Sequence, residues 1–269
     1  MAIDSFKKVL WEAGIITEFR KTSVAELIST KPTRTDGSKV IFNRLSTGDV
    51  KDYKGNIEWD KITTTPVEMV FDKQKYWAIT MEDLDAVQAV KDLMQDTVAD
   101  ETAKMRETED IDFLSKVAAG AKTTIGKTKA LVLNAKNAYD SIVDMGTQLS
   151  KNKVPKANRY VVVDAEILGL LSKDDRFTKN PTVLENGVVE GQKINGLQVV
   201  SCEELPAGTL LAVHKSASGF GRQLEKIEAL RLQSAFADGV RGLDAYGSIV
   251  LRPEAAVALK YTLEGSAQA

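Results

Sequence analysis

Residues 46–66 read STGDVKDYKGNIEWDKITTTP. The stretch has no sustained apolar run. It carries Asp49, Lys51, Asp52, Lys54, Glu58, Asp60 and Lys61 around a Tyr53–Asn56 tip. Strand-like segments flank it: Lys39 to Leu45 before, and after Pro66 a run in which Val67, Met69 and Phe71 alternate with Glu68 and Asp72. That alternation has the period of two that marks a strand with one buried face. The spacing predicts a long strand or hairpin over 67–81. A polar flap held between strands offers little to its own core, so the surface it covers must be sought elsewhere.

Next to the flap the period changes. From Glu82 to Ala118 there is neither Gly nor Pro, and Thr80 with Asp83 resembles a capping box. Leu84, Val87, Met94, Val98 and Met105 fall on one side of a helix. A helix of this extent far exceeds the ordinary length of about 11–12 residues. Its thin apolar stripe predicts a strut, partly exposed along its length. Upstream, Ile3, Phe6, Val9 and Leu10 recur at helical spacing, and Thr22–Ser29 forms a second short helical piece. A helix as short as 3–10 is unstable alone and must dock on a surface.

Downstream, GAKTTIGKTK (120–129) reads as a loop, Ala130–Leu133 as β, and Asn137–Lys151 as a helix. RYVVVDAEILGLLSKDDRF, from Arg159, reads as a buried strand, a turn and a short helix. INGLQVVSCEELP, LLAVHKSASGFGRQ and KIEALRLQSAFADG read as strands with turns. AYGSIVLRPEAAVALKYTL holds two strands, with Pro253 marking a break between them. The layout is α+β.

The 269 residues are 43% hydrophobic and 28% charged, a composition that points to a soluble globular chain rather than a disordered one. A formal net charge of -2 argues against a strong overall attraction to nucleic acid. No run approaches the roughly 18 apolar residues of a membrane helix, and the N-terminus lacks the apolar core of a secretory signal. A single cysteine, Cys202, excludes an intrachain disulfide and a thiolate metal cluster.

The chemical motifs are weak. Residues 121–128, AKTTIGKT, match a relaxed phosphate loop, and Tyr160–Asp164 could supply its magnesium-binding strand. A phosphate loop must leave a strand and open a helix, so that N–H groups and the helix dipole converge on phosphate. Here a helix precedes and a β segment follows, so a phosphate-loop nucleotidase stands only as a minor alternative. His214, the one histidine, sits in a strand-like run and reads as a hydrogen-bonded structural residue. Ser218–Gly221 reads as two glycines in a turn. Asp174 and Asp175 read as a solvated turn. Trp11, Trp59 and Trp77 read as packing or interface anchors. With no constellation of acid, base and nucleophile, no enzyme, cofactor or metal is expected.

The order of these pieces resembles the major capsid protein of tailed bacteriophages, the Hong Kong 97-type fold. The residues that carry the resemblance are the flap and return strand, Ser46–Met81; the long helix, Glu82–Ala118; NRYVVVDAEILGLLSKDDRF from Asn158; KINGLQVVSCEELP; and AYGSIVLRPEAAVAL. The resemblance implies an N-terminal arm (1–37), an extended loop (38–66), a peripheral strand with the spine helix (67–129), an axial domain (130–225) and returning peripheral strands (226–269). It implies a structural protein that assembles into hexamers and pentamers of an icosahedral virion head, built in the bacterial host cytoplasm. Scaffolding and portal proteins would be its partners, and double-stranded DNA would be enclosed by weak, non-specific contact.

The flap then covers a neighbouring copy. Expected inter-subunit contacts are Phe6, Leu10 and Trp11 of the arm and Asp49, Lys51, Asp52, Tyr53, Lys54 and Trp59 of the loop. Tyr53 and Trp59 are the anchors and the charges set register. Some members cross-link a loop lysine to a peripheral asparagine. No Asn follows Asn195, so no such cross-link is expected unless Asp238 or Asp244 substitutes. With the loop region starting by residue 40, a separate scaffold is expected, unless a scaffolding extension has been removed. The same fold serves encapsulins, bacterial cargo compartments, which stand as the alternative; a tail-tube protein fits the long helix poorly.

Overall fold

The computed structural model describes residues 23–32, 39–46, 51–52, 55, 59–61, 63–82, 93–174, 176–177, 182–183, 188–232 and 237–264. The arm helix expected over 3–10 lies outside them, as do Leu84 and Val87. Among the described residues no helix is long and apolar enough to cross a membrane.

The centre is a mixed sheet of eight strands. β4 (Thr123–Ile125), β5 (Leu131–Leu133), β6 (Arg159–Val163), β7 (Thr182–Val183), β8 (Val188–Ile194), β9 (Leu197–Ser201), β10 (Thr209–His214) and β13 (Ala256–Leu263) compose it. Their order is β4-β13-β10-β6-β9-β8-β7, with β5 also on β13. Both faces are covered, and strand parity decides which side chain goes where. Val161, Val163, Val199, Leu210, Ala212, Val257 and Leu259 point to one side. There they meet Ile142, Met145 and Leu149 of helix α3 (Ala138–Lys151) and Ile167 and Leu171 of α4 (Ala165–Leu171). Val162, Val200, Leu211, Val213 and Ala256 point to the other. They pack on Phe113, Leu114 and Val117 of the long helix α2 (Leu93–Gly120) and on Val24, Ala25 and Ile28 of α1 (Val24–Ile28). Strands buried on both faces read as continuous apolar runs, which is why YVVV and TLLAV were legible.

α2 runs 28 residues, about 42 Å at 1.5 Å per residue, and ends at Gly120. Its buried face is Thr102, Met105, Glu109, Asp110, Phe113, Leu114 and Val117. The stripe looks thin in sequence because carboxylates occupy three-to-four-residue positions that elsewhere would be apolar. Ile111, on the opposite side, is 48% exposed.

A second sheet is peripheral: β11 (Ser218–Arg231), β12 (Ala237–Val250) and β3 (Lys73–Glu82), all antiparallel. The third element is a two-stranded ribbon, β1 (Lys39–Ser46) with β2 (Thr63–Val70), in register from Lys39↔Val70 to Ser46↔Thr63.

Four expectations change. The run 67–81 is neither one strand nor a self-paired hairpin: β2 pairs with β1, while β3 pairs with β12. The buried Phe71 is the pivot between them and anchors a small core with Val40 and Met69. The loop at 120–129 contains β4, which gains backbone partners along β13. Ser218–Gly221 is strand, not turn. The strands expected to return together after residue 226 part at Pro253: β12 stays in the peripheral sheet, and β13 enters the central one between β4 and β10.

Candidate assembly interface

The ribbon is the part of the chain that leaves the core. Eight residues per strand extend it by about 26 Å. Its base is amphipathic. Val40, Met69 and Phe71 are buried with Phe42 and Ile249 against them, while Ile41 and Val70 face outward, about half exposed. The seat for this base is made of glycine. Gly221 and Gly247 face each other across β11 and β12, and Gly219 lies two residues before Gly221 on the same face. A Cβ on Gly247 would stand 2.3 Å from the backbone oxygen of Val70, and one on Gly219 2.9 Å from Phe42 Cζ. One on Gly221 would stand 3.0 Å from Pro32 Cγ. At Gly247 the ribbon therefore lies on bare backbone at a distance no side chain permits, and at Gly219 and Gly221 the approach is tight. The glycines' period of two in SGFG was the available signal; it marks a strand face approached by another backbone.

Of the expected contact residues, Lys51, Asp52 and Trp59 are described, and all three are exposed. Lys51 Nζ stands 2.8 Å from Asp60 Oδ1, tying the two sides of the loop together. Trp59 is 89% exposed. Phe6, Leu10, Trp11, Asp49, Tyr53 and Lys54 lie outside the described residues. Sequence reasoning missed a second exposed apolar group. Tyr76, 78% exposed, and Leu243, 39% exposed, are cross-strand partners on the outer face of the peripheral sheet. Lys226 continues their row, and the Arg241–Glu228 ion pair (2.5 Å) occupies the next.

The long helix meets the peripheral sheet along a polar seam. Arg222 of β11 donates through Nη2 to Glu109 Oε2 (2.5 Å) and through Nε to Glu109 Oε1 (3.0 Å). It also pairs with Glu26 of α1. Asp244 of β12 is buried beside Glu109. Burial and the Asp244 carboxyl push Glu109 up to about 9, against the opposing pull of Arg222. The two carboxyls accordingly hold a proton between them and titrate as a pair. Further along, Tyr246 donates to Asp112 Oδ2 (2.6 Å) and Lys116 Nζ to the Ser248 carbonyl (2.5 Å). Phe113 meets Phe220 edge to face beside them, and Tyr246 lies tilted against Phe220.

Asp110 holds the other side. Its Oδ1 accepts from Ser23 Oγ (3.0 Å) and from the Ala25 N–H (2.9 Å), and its Oδ2 from the Val24 N–H (3.0 Å). The N-cap residue of α1, Ser23, makes no local side-chain cap. A carboxylate some 85 residues away does the capping instead. Burial raises Asp110 to about 6 despite these three bonds.

The remaining candidates are structural in position. His214 Nδ1 accepts from the Ser216 N–H at 3.1 Å and lies 2.8 Å from Ser216 Oγ. Cys202 is buried, donates to Glu204 Oε2 at 2.6 Å, and is raised by burial. Residues 121–128 run from α2 through β4 toward β5. They neither leave a central strand nor open a helix, so the phosphate-loop geometry is absent there.

A family model described as "Phage capsid protein" matches residues 65–259. Among solved structures the chain is similar to one of Mycobacterium phage Che8, with TM-score 0.72, 24% identity, and 88% of this chain and 91% of that chain covered. It is similar to the capsid structure of cyanophage P-SCSP1u, with TM-score 0.69, 17% identity, and 91% and 90% covered. It also matches a virus-like particle from Pyrococcus furiosus, with TM-score 0.60, 10% identity, and 94% and 99% covered. Among curated proteins none matches significantly.

Proposed function

The chain belongs to the phage capsid protein family and has the Hong Kong 97-type fold, and from that premise we propose how it builds a shell. The ribbon of each copy lies over the peripheral sheet of the next. Trp59 inserts beside the neighbour's Tyr76 and Leu243, and the loop charges, Lys51 and Asp52 among them, select register. A contact between unlike surfaces propagates around an axis and closes into a ring. Hexameric and pentameric rings then form an icosahedral head around double-stranded DNA, with separate scaffolding and portal proteins, in the cytoplasm of a bacterial host. The arm residues Phe6, Leu10 and Trp11 add a second reach onto a sibling. The central sheet is the axial unit, and the peripheral sheet with α2 is the outer one.

One observation carries this reading: a ribbon seated on glycine at its base presents a tryptophan that its own chain leaves almost wholly exposed. The polar seam supports a rearrangement of α2 against the peripheral sheet as the shell matures. Ion pairs and a shared proton can be exchanged between two discrete arrangements more readily than close-packed apolar surfaces. The cargo-compartment reading has less support, because the family model that matches is a phage capsid model.

The test is assembly itself. Purified full-length protein imaged by electron microscopy is expected to form closed shells or rings. Removal of residues 47–62 with a short turn in their place is expected to leave folded protein that forms neither. Shells of normal yield from that deletion would refute the ribbon's role.

A further inference from the structure

The charges of the central sheet are segregated between its two ends. The loops at the end where β6 starts and β10 finishes include the segments 121–123, 151–158, 215–217 and 251–255, beside the uncharged turn 195–196. These four segments are bound to one another: the Lys122 N–H donates to Pro253 O (2.9 Å), Lys215 N–H to Asn158 O (3.0 Å), Arg252 N–H to Ala217 O (3.0 Å), and Asn152 Nδ2 to Glu254 O (2.8 Å). They carry Lys122, Lys151, Lys153, Lys156, Lys215 and Arg252, all exposed, and in sequence Glu254 is their one carboxylate. The opposite end leans acidic, with Asp164, Glu166, Glu203, Glu204 and Glu264 against Lys127, Lys129, Lys136 and Lys260. A net charge of -2 for the whole chain hides this division.

Two groups beneath this end, one buried and one half-buried, register its field. Arg159, 2% exposed, lies directly beneath the 151–158 loop. Its guanidinium donates to the carbonyls of Pro155 (2.8 Å), Val154 (2.5 Å) and Gly146 (3.1 Å) and to Ser150 Oγ (3.1 Å). These are all neutral acceptors, so its charge is felt at the surface above. His214 is held below its ordinary value by burial and then by the cations Arg159 and Arg252. A neutral histidine among cations is what a positive potential produces.

We propose that this basic end of the central sheet is the surface that holds the phosphate backbone of packaged double-stranded DNA. The inference rests on the capsid reading above. Lysines and an arginine spread over four loops, with no concave pocket or aromatic platform required, suit a repeating linear polyanion read for its charge alone. Contacts of this kind are weak one by one, sequence-independent, and multiplied over the copies in a shell. DNA is thereby held without being fixed.

The experiment uses unassembled full-length protein and a short fluorescent DNA duplex, titrated by anisotropy over a series of salt concentrations. Two double variants are compared, Lys153→Gln/Lys156→Gln and Lys215→Gln/Arg252→Gln, together with their combination. Lys127→Gln/Lys129→Gln serves as the control at the acidic end. All sites are exposed, and unchanged melting temperatures establish folding. Wild-type affinity is expected to fall with salt. Each double variant lowers the log–log slope by about 2 and the combination by about 3–4, at roughly 0.9 per phosphate contact. The control leaves it unchanged. Equal binding by the combined variant and the wild type, an equal loss in the control, or no wild-type binding at low salt would overturn the proposal. So would binding of polyglutamate in place of the duplex, which would assign the surface to an acidic protein. Shell formation by the same variants, read by electron microscopy, separates the two readings. Variants that close shells yet bind DNA like wild type defeat this inference and leave the capsid reading standing.

Discussion

Trp59→Ala isolates the contact on which assembly is proposed to depend. The side chain is 89% exposed within its own chain, so its removal takes almost nothing from the folded subunit. If a neighbour covers it, about 200 Å² of side chain leaves water, worth at most about 5 kcal/mol at roughly 25 cal/mol per Å². Ordering the side chain and the loop that carries it opposes this by about 1–2 kcal/mol, leaving at most roughly 3–4 kcal/mol, of which about 2 is taken for incomplete burial. Each copy contributes a single Trp59, so the loss enters once per subunit. At about 2 kcal/mol, with tenfold for every 1.4 kcal/mol, the concentration needed to form shells rises roughly 30-fold. Light scattering across a dilution series measures that threshold, and differential scanning fluorimetry of the unassembled protein measures stability. The expected result is a raised threshold with a melting temperature unchanged within about 1 °C, since exposed substitutions ordinarily fall within about 0.5 kcal/mol. A threshold within about threefold of wild type would refute the reasoning, because that corresponds to less than about 0.7 kcal/mol and no hot spot.

The ribbon seat predicts an order among glycine substitutions. Gly247→Ala places Cβ 2.3 Å from the Val70 backbone oxygen, whereas Gly221→Ala meets Pro32 Cγ at 3.0 Å and the mobile end of Met69 at 3.3 Å. Gly247→Ala should cost about 1–3 kcal/mol and Gly221→Ala less, read as chemical-denaturation midpoints. The reverse order would argue against a seated ribbon. Asp110→Ala strands the Ser23 hydroxyl and the Val24 and Ala25 amides, at about 1–3 kcal/mol for a buried unsatisfied group. Hydrogen exchange should then accelerate over residues 23–28 before it does elsewhere. For the seam, the folded chain retains a proton on the Glu109–Asp244 pair that the unfolded chain has lost. The pair's contribution to stability is therefore fully present below the ordinary carboxylate range and is lost as pH rises toward about 9. Asp110, raised to about 6, adds a decline between about 4 and 6 in the same direction. Glu109→Gln should flatten the fall in melting temperature above pH 6, and an undiminished slope in that variant would exclude the pair as its source. Intact mass under denaturing conditions should show monomer, since no asparagine follows Asn195; a covalent ladder would contradict this.

Local pattern alone determined much of this protein. A Gly- and Pro-free run predicts the long helix, and its described part, 93–120, is helical. YVVVD followed by AEILGLL predicts β6 and α4, and Asp164 caps that helix by accepting the Ile167 N–H at 2.8 Å. The 46–66 stretch, polar between strand-like flanks, predicts a projecting ribbon, and the exposed Trp59 was a candidate anchor from the outset. These features depend on residues close together in the chain, where periodicity, caps and breakers act.

Only the tertiary structure decided the rest. That β2 and β3 part company at Phe71, that β12 and β13 part at Pro253, and that Gly219, Gly221 and Gly247 form one seat are facts of long-range pairing. So is the capping of α1 by Asp110, and so is the gathering of six cations from four loops onto one end of a nearly neutral chain. Each joins residues from tens to about two hundred positions apart. Nothing in local propensity encodes which distant backbone a glycine must admit, or which distant carboxylate an unpaired amide will find. Those choices are made by burial, once the sheets have formed.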